Sequence, residues 1–410
     1  MKKFSLILIT CHLSLITAFT QGVWTQKTNF GGTARFFAFG FSIGTKGYIG
    51  TGAGSAFTKD FWEWDGDTSS PTYNTWTQKA NFGGTPRNGT VGFSISNKGY
   101  IGTGYDANGY ENDFWEWDGD TSSPTYNTWT QKANFGGTIR QNSVGFSIGA
   151  KGYIGTGNNA SGYKQDFWEW NQATNVCTQK ANFGGMARNG AAGFSIGKKG
   201  YIGTGYNGAY EQDFWEWNGD TSSPTYNTWT QKANFGGTAR EYAIGFSIGT
   251  QGYLGTGTDG NGYTQDFWKW DQGTNVWTQK ANFGGTARDE SVGFSIGKKG
   301  YIGTGRNIVG MQDFWEYTPD STNGINEINL DNYFSLYPNP SNGKINIQST
   351  KNNVQYLSVD IYNLEGEKIY QSTLSSRQSQ IDISNEPSGI YFLQVKTSVG
   401  IANKKTIIQK

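Results

Sequence analysis

Large and small residues alternate over short runs, and glycine-containing turns separate the runs. Val91-Gly92-Phe93-Ser94-Ile95 places its large side chains on one side, as a half-buried strand does. A turn at Asn97-Lys98-Gly99 leads to a second strand, Tyr100-Ile101-Gly102-Thr103-Gly104. Asp113 introduces a third, Phe114-Trp115-Glu116-Trp117, and Trp129-Thr130-Gln131-Lys132 is a fourth. The whole pattern repeats. Trp-Thr-Gln-Lys begins at Trp24, Trp76, Trp129, Trp229 and Trp277, and recurs at Cys177 with Cys for Trp, at spacings of 52, 53, 48, 52 and 48 residues. Six copies fill residues 23–317. Four short antiparallel strands in each ~50-residue unit predict the blades of a β-propeller.

The bookkeeping of strands also predicts how the ring closes. The chain enters with a lone fourth-type strand, Trp24 to Lys27, and the sixth copy stops after its third strand, Phe314 to Tyr317. Pairing the two completes the last blade and removes an open sheet edge.

With the repeat in hand, a resemblance follows. The unit resembles a kelch repeat: the second strand ends Gly-Thr-Gly where kelch repeats carry a Gly doublet. The third reads Asp-Phe-Trp-Glu-Trp-Asp, and Pro86-Arg87 keeps the family's Pro-Arg, the other copies retaining Arg35, Arg140, Arg188, Arg240 and Arg288. The resemblance implies a six-bladed kelch-like propeller over residues 21–317 and says nothing specific about function.

Composition agrees with this all-β reading. The chain has 60 Gly in 410 residues, together with 16 Trp, 23 Tyr and 26 Phe, and disordered chains are poor in aromatics. All the Trp lie at matching strand positions, which assigns them to packing between blades. Cys177 then marks a less well packed blade. The six repeated aspartates (Asp60, Asp113, Asp166, Asp213, Asp266, Asp313) are read as strand-entry carboxylates accepting backbone hydrogen bonds. The six arginines are read the same structural way, with a ring of donors facing a ligand as the alternative. The loop beginning Asp65-Gly66-Asp67 starts like a calcium loop but lacks its glycine and final acid.

Residues 1–20 read as a signal peptide: Lys2 and Lys3, then a mostly apolar run, then small residues before Gln21. Cys11 is a poor lipidation site, since Thr10 precedes it. Without this leader the formal charge moves from +1 to −1, so no nucleic-acid footprint is expected. His12 and Cys11 leave with it, which removes imidazole-dependent and Cys/His zinc chemistry from the mature chain. No metal or cofactor, no transmembrane segment and a monomer are expected.

After Tyr317 the composition changes. Residues 318–332 read as a linker and 333–410 as a small β-sandwich. Tyr337-Pro338-Asn339-Pro340 with Gly343, Ile361-Tyr362-Asn363-Leu364-Glu365-Gly366, Ser388-Gly389-Ile390-Tyr391 and the basic pair Lys404-Lys405 occur in order. They resemble the type A C-terminal sorting domain of the type IX secretion system; an ordinary adhesive sandwich is the alternative. The resemblance implies the secretion machinery as a partner, export across the outer membrane, and removal of this domain with release or surface anchoring.

The copies also indicate where specificity resides. They differ chiefly in the connection between second and third strands and in the residues after the repeated Arg, two connections that fall on one face of an up-and-down blade. Tyr105, Tyr110, Tyr163, Tyr206, Tyr210 and Tyr263 on these loops are stacking candidates for a glycan or a protein surface, against the alternative of neutral drift. The expected function is a secreted or cell-surface, non-catalytic binding protein. A sugar-active enzyme of mutarotase or hydrolase type is the alternative, using Glu241, Tyr242, Asp289, Glu290 and Arg306. A structural matrix component is the third reading.

Overall fold

Residues 21–320, 334–349, 356–373, 378–397 and 400–410 are described by the structure, a computed structural model. The expected leader (1–20), nearly all of the expected linker (321–332) and the first residue of the expected sorting domain lie outside the described residues. The chain divides into two units, Met1–Pro319 and Asp320–Lys410.

The first unit is a ring of six four-stranded antiparallel sheets. In the second blade the strands are Val91–Ile95, Lys98–Gly102, Phe114–Asp118 and Trp129–Gln131, from the axis outward. The first turn is tighter than the sequence suggests: Ser96 takes a left-handed φ of 53°, so Lys98 already pairs with Ile95. The second strand also ends earlier, because Thr103 and Gly104 turn to φ 61° and 108° and leave the ladder. Closure is as expected. Val23–Lys27 pairs antiparallel with Phe314–Thr318, Trp24 opposite Tyr317 and Lys27 opposite Phe314.

Between blades the packing is aromatic. Trp64, Trp117, Trp170, Trp217 and Trp270 are fully buried, and each meets the third-strand Phe of the preceding blade, as Trp117 meets Phe61 at 5.1 Å. Tyr317 takes this place in the sixth blade. A second Trp series, from the fourth strands, meets the same phenylalanines edge-on at 5.0–5.2 Å. Burying one such ring is worth ~4–6 kcal/mol before entropy is subtracted. Cys177 stands where the third blade should supply its member of that series. Its Sγ lies 3.8 Å from the Asn134 carbonyl, and the small side chain packs against the same core without supplying a ring.

The repeated aspartates are structural, and the partners that dominate are side chains, the expected backbone bond being a minor one. Each forms a two-pronged pair with the Arg of its own repeat, at 2.6–2.8 Å for Arg35–Asp60, Arg140–Asp166 and Arg240–Asp266. The guanidinium also donates to the carbonyl of the turning Thr, as Arg140 does to Thr156, and lies over a Phe ring. All six arginines are 0–1% exposed. They clamp the two variable connections together from beneath and present no ring of donors to a ligand. A fork that satisfies both carboxylate oxygens suits Arg and not Lys.

The loops of the opposite face are saturated by themselves. Asp65 accepts hydrogen bonds from Ser70, Thr72 and the Asp67 amide.

The second unit packs a three-stranded sheet and a four-stranded sheet over one core that includes Ile345, Ile347, Val359, Ile361, Ile381, Leu393 and Val395. It is the expected β-sandwich. Asn339 ties the start of the unit to its last strand, donating to the Lys405 carbonyl and accepting from the Ile407 amide. Gly343 has φ 101°, and a Cβ there would strike the Ser384 backbone. Gly366 turns at φ 83°. Gly389 opens the strand that pairs with the last one, Tyr391 is buried with its hydroxyl on the Pro387 carbonyl, and Lys404 and Lys405 lie on that last strand.

Candidate functional site

The residues that differ among copies meet on one face. In each blade the post-Arg segment pairs with the connection between second and third strands: Phe36 with Ala53, Asn88 with Tyr105, Gln141 with Asn158, Asn189 with Tyr206, Glu241 with Thr258, Asp289 with Arg306. One residue further on, the six segments join around the axis. The amides of Phe37, Gly89, Asn142, Gly190, Tyr242 and Glu290 each donate to the carbonyl of the preceding blade's equivalent residue, at 2.7–3.3 Å, and the last closes on the first. All six are left-handed, with φ between 53° and 62°. Two of them being glycine was the visible hint, since left-handed φ favours that residue. The ring itself was not foreseen.

This ring surrounds a cavity of about 110 Å³ lined by two residues from every blade, Tyr242 and Glu290 among them. Tyr242 is its largest lining side chain. Its hydroxyl accepts hydrogen bonds from Asn142 and Asn189, each at 3.2 Å, and its ring meets Phe37 edge-on at 5.1 Å. Below it the axial channel continues between the innermost strands.

Three carboxylates gather on the fifth and sixth blades. Asp289 accepts from Thr258 at 2.7 Å and from Arg306 at 3.3 Å. Glu290 lies 2.8 Å from the Arg306 guanidinium, a close contact without hydrogen-bond geometry. Its side chain has no solvent exposure, and its second oxygen has no partner. Arg306 in turn lies over Phe36 and Phe37, at 5.0 and 5.8 Å. Glu241 is half-buried, and its side chain has no hydrogen bond or ion pair among the described residues. Burial, and then the charge of Asp289, push Glu241 up to about 7 and Glu290 up to about 9. Burial raises Asp289 too, against the opposing pull of Thr258 and Arg306.

The tyrosines fall into separate groups. Tyr105 contacts Tyr110 at 5.0 Å and Phe57 at 6.2 Å on the first two blades. Tyr163, Tyr206 and Tyr210 form a second chain on the third and fourth, at 6.2 and 5.3 Å. Tyr263 stands apart from both groups, near Arg306. Sequence reasoning passed over Ile139, Met186, Ile308 and Val309, all exposed on this face. The available signal was their departure from the other copies.

Residues 335–409 match the family of secretion system C-terminal sorting domains. The propeller is similar to a solved structure titled as that of YjhT, with a TM-score of 0.59 and 15% identity, covering 72% of this chain and 97% of the other. At that identity the likeness establishes a kelch-type propeller fold and nothing further. No curated protein matches the chain. The C-terminal unit is thus a type IX sorting domain, and the protein is exported across the outer membrane, to the cell surface or beyond it.

Proposed function

For a kelch-type propeller delivered outside the cell by its sorting domain, we propose a non-catalytic binding function, with the variable face as the binding surface for a glycan or protein ligand. One observation carries this reading: the unequal residues of six near-equal repeats are paired side by side on one face. The size of the axial cavity supports surface contact over engulfment. About 110 Å³ at the ring and about 170 Å³ in the channel below it are each below the ~300–1,000 Å³ of pockets that enclose small molecules. Ligand is met by the rim, where Tyr supplies an apolar face and a hydroxyl at low entropic cost.

The enzyme reading has a specific observation in its favour, the raised Glu241 and Glu290 beside Tyr242 and Arg306. Against it stand the full enclosure of the Glu290 side chain and its capping by Arg306. The test is calorimetric titration of the full chain against a glycan panel and candidate surface proteins. Ala at Tyr105, Tyr163 or Tyr206 should weaken binding by ~1–3 kcal/mol each with the melting temperature nearly unchanged. Loss on altering Thr68 to Asn74 of the opposite face instead would overturn the assignment.

A further inference from the structure

Just before the clamp arginine, four repeats carry Thr-Ala or Thr-Pro: Thr33-Ala34, Thr85-Pro86, Thr238-Ala239 and Thr286-Ala287. The third and fourth depart from this, as Thr138-Ile139 and Met186-Ala187. Both new side chains stand in water, Ile139 at 46% and Met186 at 66% exposure, and Tyr163 on the same two blades is 37% exposed.

The three belong to one band. Asn159, in the hairpin that carries Tyr163, donates to the Ile139 carbonyl at 2.8 Å. Lys164 bridges to Arg188, two residues beyond Met186, and Asn207 reaches the Met186 sulfur at 3.5 Å. The band continues through Tyr206 and Tyr210 to Glu241, whose charge is felt at both Tyr163 and Tyr210. A single exposed apolar residue needs no explanation; neighbouring apolar departures on two adjacent copies, separate from the exposed Ile308 and Val309 of the sixth, do.

At the inner end of the band, Glu241 is a half-buried carboxylate without a donor. Such a group is less well solvated than a surface carboxylate, and no protein donor replaces the lost water. Arg306, the neighbouring cation, is committed to Asp289 and Glu290. Lys164 pairs through its backbone with Arg188.

We propose that the band on the third and fourth blades docks a protein segment in which a lysine or arginine is flanked by apolar side chains. The apolar flanks cover Ile139, Tyr163 and Met186, and the cation comes to rest against Glu241. This rests on the variable face being the binding surface and goes beyond it in choosing a protein ligand. Charge complementarity decides the choice, since a neutral glycan supplies no cation for Glu241.

The experiment uses the full chain against immobilised peptides with a central Lys or Arg between Leu or Phe residues. The same peptides with acetyl-lysine or Glu at the centre, and a glycan array, run in parallel. Basic-centred peptides should bind, acetylation should abolish binding, and Glu241→Gln, Ile139→Asp and Met186→Asp should each weaken it at least tenfold. Thr68→Ala on the opposite face should leave it unchanged. Equal binding of lysine and acetyl-lysine peptides overturns the inference, as does an effect of Tyr105→Ala without one of Glu241→Gln. Glycan binding with no peptide binding overturns it too, and leaves the variable-face reading standing if Tyr105→Ala weakens the glycan. Binding that responds only to opposite-face changes removes both.

Discussion

Replacing Glu290 by Gln should make the propeller's stability less sensitive to alkali. In the fold this carboxyl is held at about 9, from an ordinary 4.5 in the unfolded chain, chiefly by burial and then by Asp289. Between those limits the folded state keeps a proton that the unfolded state has released. Stability from this group is therefore full below pH ~4.5 and is lost as pH rises toward 9. Each pH unit in that window costs ~1.4 kcal/mol, so moving from pH 5 to pH 8 costs at most roughly 4 kcal/mol. Half of that still lowers the melting temperature by several degrees, at ~2–4 °C per kcal/mol.

The neighbours work in known directions. Glu241 and Asp289 are also raised and add to the alkaline loss. Asp60, Asp166 and Asp313 are lowered below 3.8 despite burial, by their clamp arginines, so their stabilisation is already complete above pH 5 and is lost only in acid. The assay is calorimetric unfolding of wild type and Glu290→Gln at pH 5, 6.5 and 8 in constant salt. The variant should gain on the wild type as pH rises. A difference that stays constant with pH, or that grows toward pH 5, refutes the reasoning and means the ion pair with Arg306 keeps Glu290 charged.

Further outcomes follow from the same contacts. Cys177→Trp restores the ring that Phe114 lacks and should raise unfolding stability by about 1–2 kcal/mol in denaturant titration. Arg140→Ala leaves Asp166 uncompensated and should cost ~3–5 kcal/mol by the same titration. Removing residues 21–27 exposes the Phe314–Thr318 edge, and light scattering should show aggregation under conditions where the full chain stays dispersed.

Much of the scaffold was legible because duplication wrote it six times. Alternation in Val91 to Ile95, the Gly turns and the Trp series each name a strand and its buried side, and the unmatched strands at Trp24 and Phe314 name the closure. The sorting domain was legible for a different reason: Asn339, Gly343 and Tyr391 sit where backbone geometry admits few alternatives. What stayed hidden was pairing at a distance along the chain. Asp60 and Arg35 are 25 residues apart, and each is invariant among copies, so the sequence marks both as structural without saying that each satisfies the other. Strand ends were misplaced by two residues at Gly102 because a left-handed Thr is not something β-branched residues advertise.

The candidate site was legible by subtraction only. Removing what the repeats share leaves Tyr105, Tyr163, Glu241, Asp289 and Arg306, but not their grouping, which depends on neighbouring blades. Arg306 illustrates the difference. As a sequence position it is a free cation on a variable loop; in the fold it is committed to Asp289 and Glu290 and stacked on two phenylalanines from the first blade. That commitment leaves Glu241 as a half-buried acid whose side chain has no hydrogen-bonding or ion-pair partner among the described residues. A duplicated scaffold thus acquires specificity by unequal satisfaction as much as by unequal residues: where five copies have no carboxylate, or have one already paired, the fifth blade leaves one open to be completed from outside.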